Sequence, residues 1–178
     1  MTADLPDARV LLVGMMGSGK TTVGREISRR TGWEFRDNDD ALKALTGMTT
    51  PELHTSRGTE ALRAAESEAM HHALAAPPPF VAGIAGGVVE SDDDVAALRE
   101  ADALVVYLFA PLDVLVERVG DGTGRPWLEG DPVGALRKLY DGREERYRAV
   151  ADLVVDTATG TPEQQAEQVI RALQTLRG

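Results

Sequence analysis

Gly14-Met15-Met16-Gly17-Ser18-Gly19-Lys20-Thr21 follows the apolar run Arg9-Val10-Leu11-Leu12-Val13 and opens a segment that reads as helix. The octet fits G-x-x-x-x-G-K-[ST], and its setting, strand before and helix after, is the one that pattern requires. Its glycines let backbone N–H groups converge on a β-phosphate, and the following helix adds unsatisfied N–H groups and its positive dipole end. Gly17, Ser18, Gly19, Lys20, Thr21 and Thr22 are therefore the candidate contacts for a nucleoside triphosphate, with the Lys20 charge aimed at the β/γ oxygens and the Thr21 hydroxyl at Mg²⁺. The acceptor of the phosphoryl group stays open at this point: water, a protein, a nucleotide or a small alcohol.

Around this loop the chain alternates. Apolar runs of strand length recur at Arg9 to Val13, Phe80 to Ile84, Ala103 to Phe109 and Leu153 to Val155, and Glu34-Phe35-Arg36 supplies a short fifth. Helical patterns lie between them: Gly19 to Arg30, Thr59 to Leu74 and, at the end, Pro162 to Leu176. Strand–helix alternation of this kind predicts an α/β fold, a five-stranded parallel sheet flanked by helices on both faces. Asp92-Asp93-Asp94 follows Ser91 and precedes Val95-Ala96-Ala97-Leu98, which is the pattern of a helix cap and an acidic first turn rather than a metal cluster.

Composition bounds the function. At 178 residues and 43% hydrophobic content the chain reads as a single domain, and its formal net charge of -10 argues against nucleic-acid binding, which needs a Lys/Arg footprint. With no cysteine, disulfides, zinc-thiolate sites and thiol nucleophiles are excluded. No apolar run approaches 18 residues, so no membrane span and a cytoplasmic protein are expected.

The acceptor site is sought at the ends of the other strands. Asp37 and Asp39, after the second strand, fall in the crevice where parallel α/β sheets bind ligands. Asp37 is assigned to the metal and its water shell, Asp39 to the acceptor hydroxyl, whose proton it would take during attack on the γ-phosphorus; an acidic turn and helix cap is the plainer alternative. Arg63 and Glu66 are three apart on a helix, so the glutamate can hold a guanidinium in one orientation, suited to a carboxylate; a solvated surface pair has the same spacing. Gly86 and Gly87 follow the third strand and allow close backbone approach, as any tight turn would. From Val119 to Pro132 four glycines and no hydrophobic period predict an irregular segment, a lid or a surface insertion. His71 and His72 diverge by about 100° on a helix and cannot chelate one metal. They and His54 are expected in solvent, and the basic stretch Arg137 to Arg148 is expected to be a charged helix face.

In order, these pieces resemble the shikimate kinase family, nucleoside-monophosphate-kinase-like phosphotransferases, from Val10 to about Leu173. The resemblance rests on GMMGSGKTTVGR (Gly14 to Arg25), F-x-D-x-D (Phe35 to Asp39), GTEALRAAE (Gly58 to Glu66), the Gly86-Gly87 turn, TGRP (Thr123 to Pro126) and R-x-x-x-Y (Arg143 to Tyr147). It implies transfer of the γ-phosphoryl of ATP to the 3-hydroxyl of shikimate in aromatic amino-acid biosynthesis, with Mg²⁺. By position it implies that Asp39 engages the shikimate hydroxyls as base, that Arg63 and Arg143 clamp its carboxylate, and that Gly86 and Gly87 contact it through backbone. Arg125 becomes the lid arginine that neutralises the transferring phosphoryl group, Arg118 lies against adenine, and Thr161-Pro162 falls in the adenine-contacting loop.

Three departures stand out: Ala85 where the family has a third glycine, Trp127 where a smaller aliphatic residue is common, and Asn38 between the two aspartates. Ala85 motivates one alternative, a kinase of another small hydroxy acid such as gluconate; a nucleotide-binding module without catalysis is a second, of a different class. A monomer is expected, organised as one domain over residues 1–178 with a lid at about 119–132 and an acceptor-binding helical segment at about 37–66.

Overall fold

The computed structural model describes residues 5–175. Strands β1 (Arg9–Val13), β2 (Glu34–Arg36), β3 (Phe80–Gly83), β4 (Leu104–Phe109) and β5 (Leu153–Asp156) form one sheet in the order β2-β3-β1-β4-β5. Every neighbouring pair is parallel, in the registers Leu11↔Ala82, Leu11↔Val105, Phe35↔Val81 and Tyr107↔Val154 among others. The expected five strands are all present, with ends that shift by a single residue.

Helices cover both faces, which is why the central strands are continuous apolar runs rather than alternating ones. Val10, Leu12, Val106 and Leu108 turn to one face. There they pack with Val23 and Ile27 of α1 (Lys20–Thr31) and with Ala166, Val169 and Leu173 of α7 (Pro162–Thr175). Leu11, Val13, Val105 and Tyr107 turn to the other, against Leu98 of α4 (Asp92–Glu100), Leu115 of α5 (Leu112–Val119) and Leu136, Tyr147 and Val150 of α6 (Pro132–Val150). The final residue of the expected C-terminal helix, Leu176, lies outside the described residues.

A third, smaller apolar cluster sits beside the sheet, made by Leu42 of α2 (Asn38–Thr46) and Leu53, Leu62, Ala65 and Ala69 of α3 (Thr50–Ala75). The helix expected from Thr59 is the second half of α3. Its axis breaks at Gly58 (φ 84, ψ 178), and the first half begins at a capping box in which Thr49 and Glu52 satisfy each other's backbone N–H groups. Ser91 caps Asp94 at the start of α4, as its spacing predicts. Asp94 itself is buried, however, and holds Ser67 at 2.7 Å and His71 at 3.0 Å, so it ties α4 to α3.

The segment after α5 is less irregular than its glycines suggest. Pro126–Leu128 forms a 3₁₀ turn, and Leu128 is buried in the main core. Among the described residues no helix is long and apolar enough to cross a membrane.

Candidate active site

Strand order places β1 between β3 and β4, so the chain leaves the C-terminal end of β1 at the point where the sheet's connections diverge to either side, the usual ligand crevice of an open parallel sheet. The phosphate loop starts there. Gly14, Gly17 and Gly19 all take positive φ, and Gly19 is the N-cap of α1 with no side chain over the helix end, which leaves its first N–H groups open to an anion.

Lys20 folds back over this loop, donating to the Gly14 carbonyl at 2.7 Å and the Met15 carbonyl at 3.0 Å. Burial, helped by the positive charge of Arg143, lowers its pKa to about 8, against the pull of Asp39, Asp37 and Glu66. That set of neighbours is informative: the loop lysine, both acidic residues after β2 and the arginine of α6 share one electrostatic environment.

Asp37 is the N-cap of α2, accepting from the Asp39 backbone N–H at 2.9 Å through Oδ1. Its Oδ2 accepts from the Thr21 hydroxyl at 2.8 Å. The cap reading of this aspartate holds, and its second oxygen lies beside Thr21, the other candidate metal residue. A hydroxyl and a carboxylate side by side at the head of α1 are hard oxygen donors that fit Mg²⁺, which is commonly held by one or two carboxylates together with substrate phosphates. Among the described residues no three acidic or imidazole side chains gather into a metal cage. Asp39 is oriented by Thr50 at the start of α3, whose hydroxyl donates to its Oδ1 at 2.7 Å, so Oδ2 is left for a ligand.

At the other end stand the arginines. Arg63 donates to Glu66 at 2.7 Å through Nη1, the pairing its spacing predicts, and to Glu90 at 2.9 Å through Nε. Arg143, only 3% exposed, donates to the same Glu90 at 2.8 Å through Nε. Burial raises the Glu66 pKa even though Arg63 opposes it, whereas at Glu90 the charges of Arg143 and Arg63 outweigh burial and hold the carboxyl below its usual range. The helix-face expectation for the basic stretch fails at Arg143, which points inward with Tyr147 one turn on. The buried Tyr147 hydroxyl donates to the Gly86 carbonyl at 2.7 Å, and burial pushes its pKa up to about 12.

Gly86 and Gly87 lead a 3₁₀ turn, Gly86–Glu90, packed against these arginines. A Cβ on Gly87 would lie 2.4 Å from Arg63 Nη1 and from Glu66 Oε2, so any side chain here would have to displace the Arg63–Glu66 pair. Ala85 lines the same cleft at φ −58, ψ 137, torsions any residue adopts, so its methyl is accommodated without backbone strain.

One cleft of about 480 Å³ unites these groups. It is lined by Gly17, Gly19, Lys20, Thr21 and Thr22 of the loop, by Asp37 and Asp39, by Arg63, Gly86, Gly87 and Arg143, and by Arg125. Among the described residues the Arg125 side chain makes no hydrogen bond or ion pair, so its charge is available to the cleft. Three candidates lie outside the lining. The Ser18 hydroxyl is buried beneath the loop, Arg118 braces the Gly17 carbonyl at 3.1 Å and the Thr157 hydroxyl at 3.2 Å, and Pro162 opens α7.

Trp127 lines the cleft beside Arg125 and packs into the Leu42–Leu53–Leu62 cluster, with its ring 5.5 Å from the His54 ring in an edge-on contact. That contact overturns the solvent position expected for His54, which is half-buried with Nε2 3.2 Å from the Thr59 hydroxyl; His71 and His72 are exposed as expected. Thr50 and Glu90 are the functional candidates that sequence reasoning missed. Thr50 had a legible signal in the Thr49–Glu52 capping box, which starts a helix next to Asp39; Glu90 had none beyond its place after the glycine turn.

The family comparison and the curated relatives point to one family. The family described as "Shikimate kinase" matches residues 16–174. A shikimate kinase of Halorhodospira halophila is 38% identical over 168 residues, covering 94% of this chain and 94% of the relative. Among solved structures, shikimate kinase from Acinetobacter baumannii in complex with shikimate superposes with a TM-score of 0.87 at 29% identity, covering 97% of this chain and 94% of that one. A gluconokinase from Sinorhizobium meliloti shares the fold at a TM-score of 0.65 and 20% identity, over 96% of this chain and 93% of its own. The chain belongs to the shikimate kinase family.

Proposed function

We propose that this protein transfers the γ-phosphoryl group of ATP to the 3-hydroxyl of shikimate, giving shikimate 3-phosphate and ADP. The observation that carries the reading is that a single cleft is lined at one end by a phosphate loop with its lysine and at the other by Arg63 and Arg143. A guanidinium pair suits a carboxylate, and a phosphate loop suits a triphosphate, so an acid bearing an alcohol is the acceptor that engages both ends.

The acid's carboxylate is received by Arg63 and Arg143, with Glu66 and Glu90 fixing the two guanidiniums. Asp39, steadied by Thr50, accepts a hydrogen bond from the acceptor hydroxyl. As the alcohol oxygen bonds to the γ-phosphorus, the bond from that phosphorus to the β,γ-bridging oxygen breaks, ADP leaves with the bond's electrons, and Asp39 takes the hydroxyl proton. Lys20 leaves the Gly14 and Met15 carbonyls for the β/γ oxygens, and Arg125 adds positive charge where the transferring group becomes most anionic. Thr21 and Asp37 would hold Mg²⁺, which supplies charge neutralisation at the phosphates when bound. Positioning and charge neutralisation account for most of the rate.

A coupled ADP-release assay with shikimate, gluconate and other polyol acids, followed by NMR of the product, tests this reading. Phosphorylation of shikimate at its 3-oxygen, with the highest kcat/KM of the panel, is expected. A higher kcat/KM for gluconate would establish the alternative acceptor, and ATP binding without turnover of any acid would establish a non-catalytic nucleotide-binding module.

A further inference from the structure

Two arginines that receive one carboxylate must keep a fixed spacing, and nothing in their own helices provides it. Arg63 projects from α3 and Arg143 from α6, elements that meet here across the Gly86–Glu90 turn. Glu66 reaches only Arg63. Glu90, the last residue of that turn, reaches both: its Oε2 accepts from Arg63 Nε at 2.9 Å and its Oε1 from Arg143 Nε at 2.8 Å. One carboxylate therefore spans the pair with an oxygen on each guanidinium.

The side from which it does so matters. Arg63 and Arg143 both line the cleft, and Glu90 does not. It holds Arg63 by Nε and Arg143 by Nε and Nη2, and its side chain is 40% exposed. Arg63 Nη2 and Arg143 Nη1 take no part in the ion pairs to Glu66 and Glu90, and the Arg143 guanidinium also neighbours the Tyr147 hydroxyl. The four charges balance, two guanidiniums against Glu66 and Glu90, so the arginine pair is not held apart by its own repulsion before the acid arrives.

We infer that Glu90 is a positioning residue that sets the Arg63–Arg143 spacing and thereby the preference of this cleft for a carboxylate-bearing acceptor. The inference rests on the reading of the cleft as an acid-acceptor site, and wild-type turnover of shikimate tests that reading separately.

The test measures steady-state kinetics of Glu90→Gln and Glu90→Asp with shikimate and with its primary carboxamide, alongside thermal melts. Glutamine keeps the shape but offers one acceptor oxygen in place of two. KM for shikimate should rise about tenfold, kcat should change less than KM, KM for ATP should stay within about twofold, and the preference for acid over carboxamide should narrow. Aspartate is too short to span both Nε groups, and its KM should fall between wild type and Glu90→Gln. Glu90→Asp carries the comparison alone if Glu90→Gln does not fold. A lowered KM for shikimate would overturn the inference by making Glu90 a competitor for the arginines. An unchanged KM, or parallel losses in the KM values for acid and nucleotide, would reduce it to a structural ion pair.

Discussion

The Thr21 hydroxyl donates to Asp37 Oδ2 across 2.8 Å, joining the first turn of α1 to the N-cap of α2. Asparagine caps helices as well as aspartate does, so Asp37→Asn should keep the Asp39 N–H satisfied and the fold intact. It removes an anionic oxygen from the candidate magnesium site. Magnesium titration of the rate at fixed ATP should show half-saturation raised by about tenfold or more. Unchanged half-saturation would take Asp37 out of the metal's surroundings.

Lys20 has a pKa near 8 before nucleotide binds, because burial and Arg143 disfavour its charge. A triphosphate favours the protonated form, so binding raises that pKa and takes up a proton. Above pH 8 the free lysine is increasingly neutral, and ATP affinity should fall by up to about tenfold per pH unit. Calorimetry of ADP binding at pH 8.5 in buffers of different ionisation enthalpy should detect the proton uptake; none would contradict the assignment. Lys20→Ala and Arg125→Ala should each lower kcat by about 10² to 10⁴.

Arg63 is held by two carboxylates through two different edges, a geometry a point charge cannot reproduce. Arg63→Lys should raise KM for the acid about tenfold to a hundredfold with a smaller change in kcat. Identical kinetics would remove Arg63 from the site.

Gly87 leaves room for the Arg63–Glu66 pair, and an added Cβ meets both at 2.4 Å. On Gly86 the nearest groups, the Tyr147 hydroxyl and Arg143 Nη1, stand at 3.1 and 3.3 Å. Gly87→Ala should therefore raise KM for the acid more than Gly86→Ala does, by about tenfold. The reverse order would show that the backbone approach at Gly86, rather than the space at Gly87, governs binding.

Trp127 packs between the segment carrying Arg125 and the α2–α3 cluster, whereas the second tryptophan, Trp33, packs on the far face near β2 and α1. In Trp33→Phe the remaining emission reports on the cleft. Shikimate should change it, and ADP should change it further if residues 119–132 close over both ligands. An emission spectrum insensitive to both would show that Trp127 does not sense ligands in the cleft.

The parts of this enzyme that were legible in the sequence are those where neighbours in the chain do the work. The phosphate loop combines local glycines with a local helix end, and parallel strands buried on both faces announce themselves as unbroken apolar runs such as Leu104–Phe109. Asp37, Asp39, Arg63 and Arg143 came from motif and resemblance, and their meeting in one cleft is a product of sheet order, which no local pattern states. Glu90 and the half-buried His54 were illegible for the same reason. Glu90 matters through arginines on two distant helices, and His54 is covered by Trp127, a residue far from it in the chain. The inward turn of Arg143 was hidden by its charged neighbours on α6, since a helix face is chosen by what packs on it and not by its own composition.

The most direct measurement is a crystal structure with shikimate, ADP and Mg²⁺ bound. The account predicts the shikimate carboxylate against Arg63 Nη2 and Arg143 Nη1, with its 3-hydroxyl within hydrogen-bonding reach of Asp39 on the side facing Lys20. A ring bound elsewhere, or both arginines engaged only by Glu66 and Glu90 while the acid is held by other groups, would contradict it.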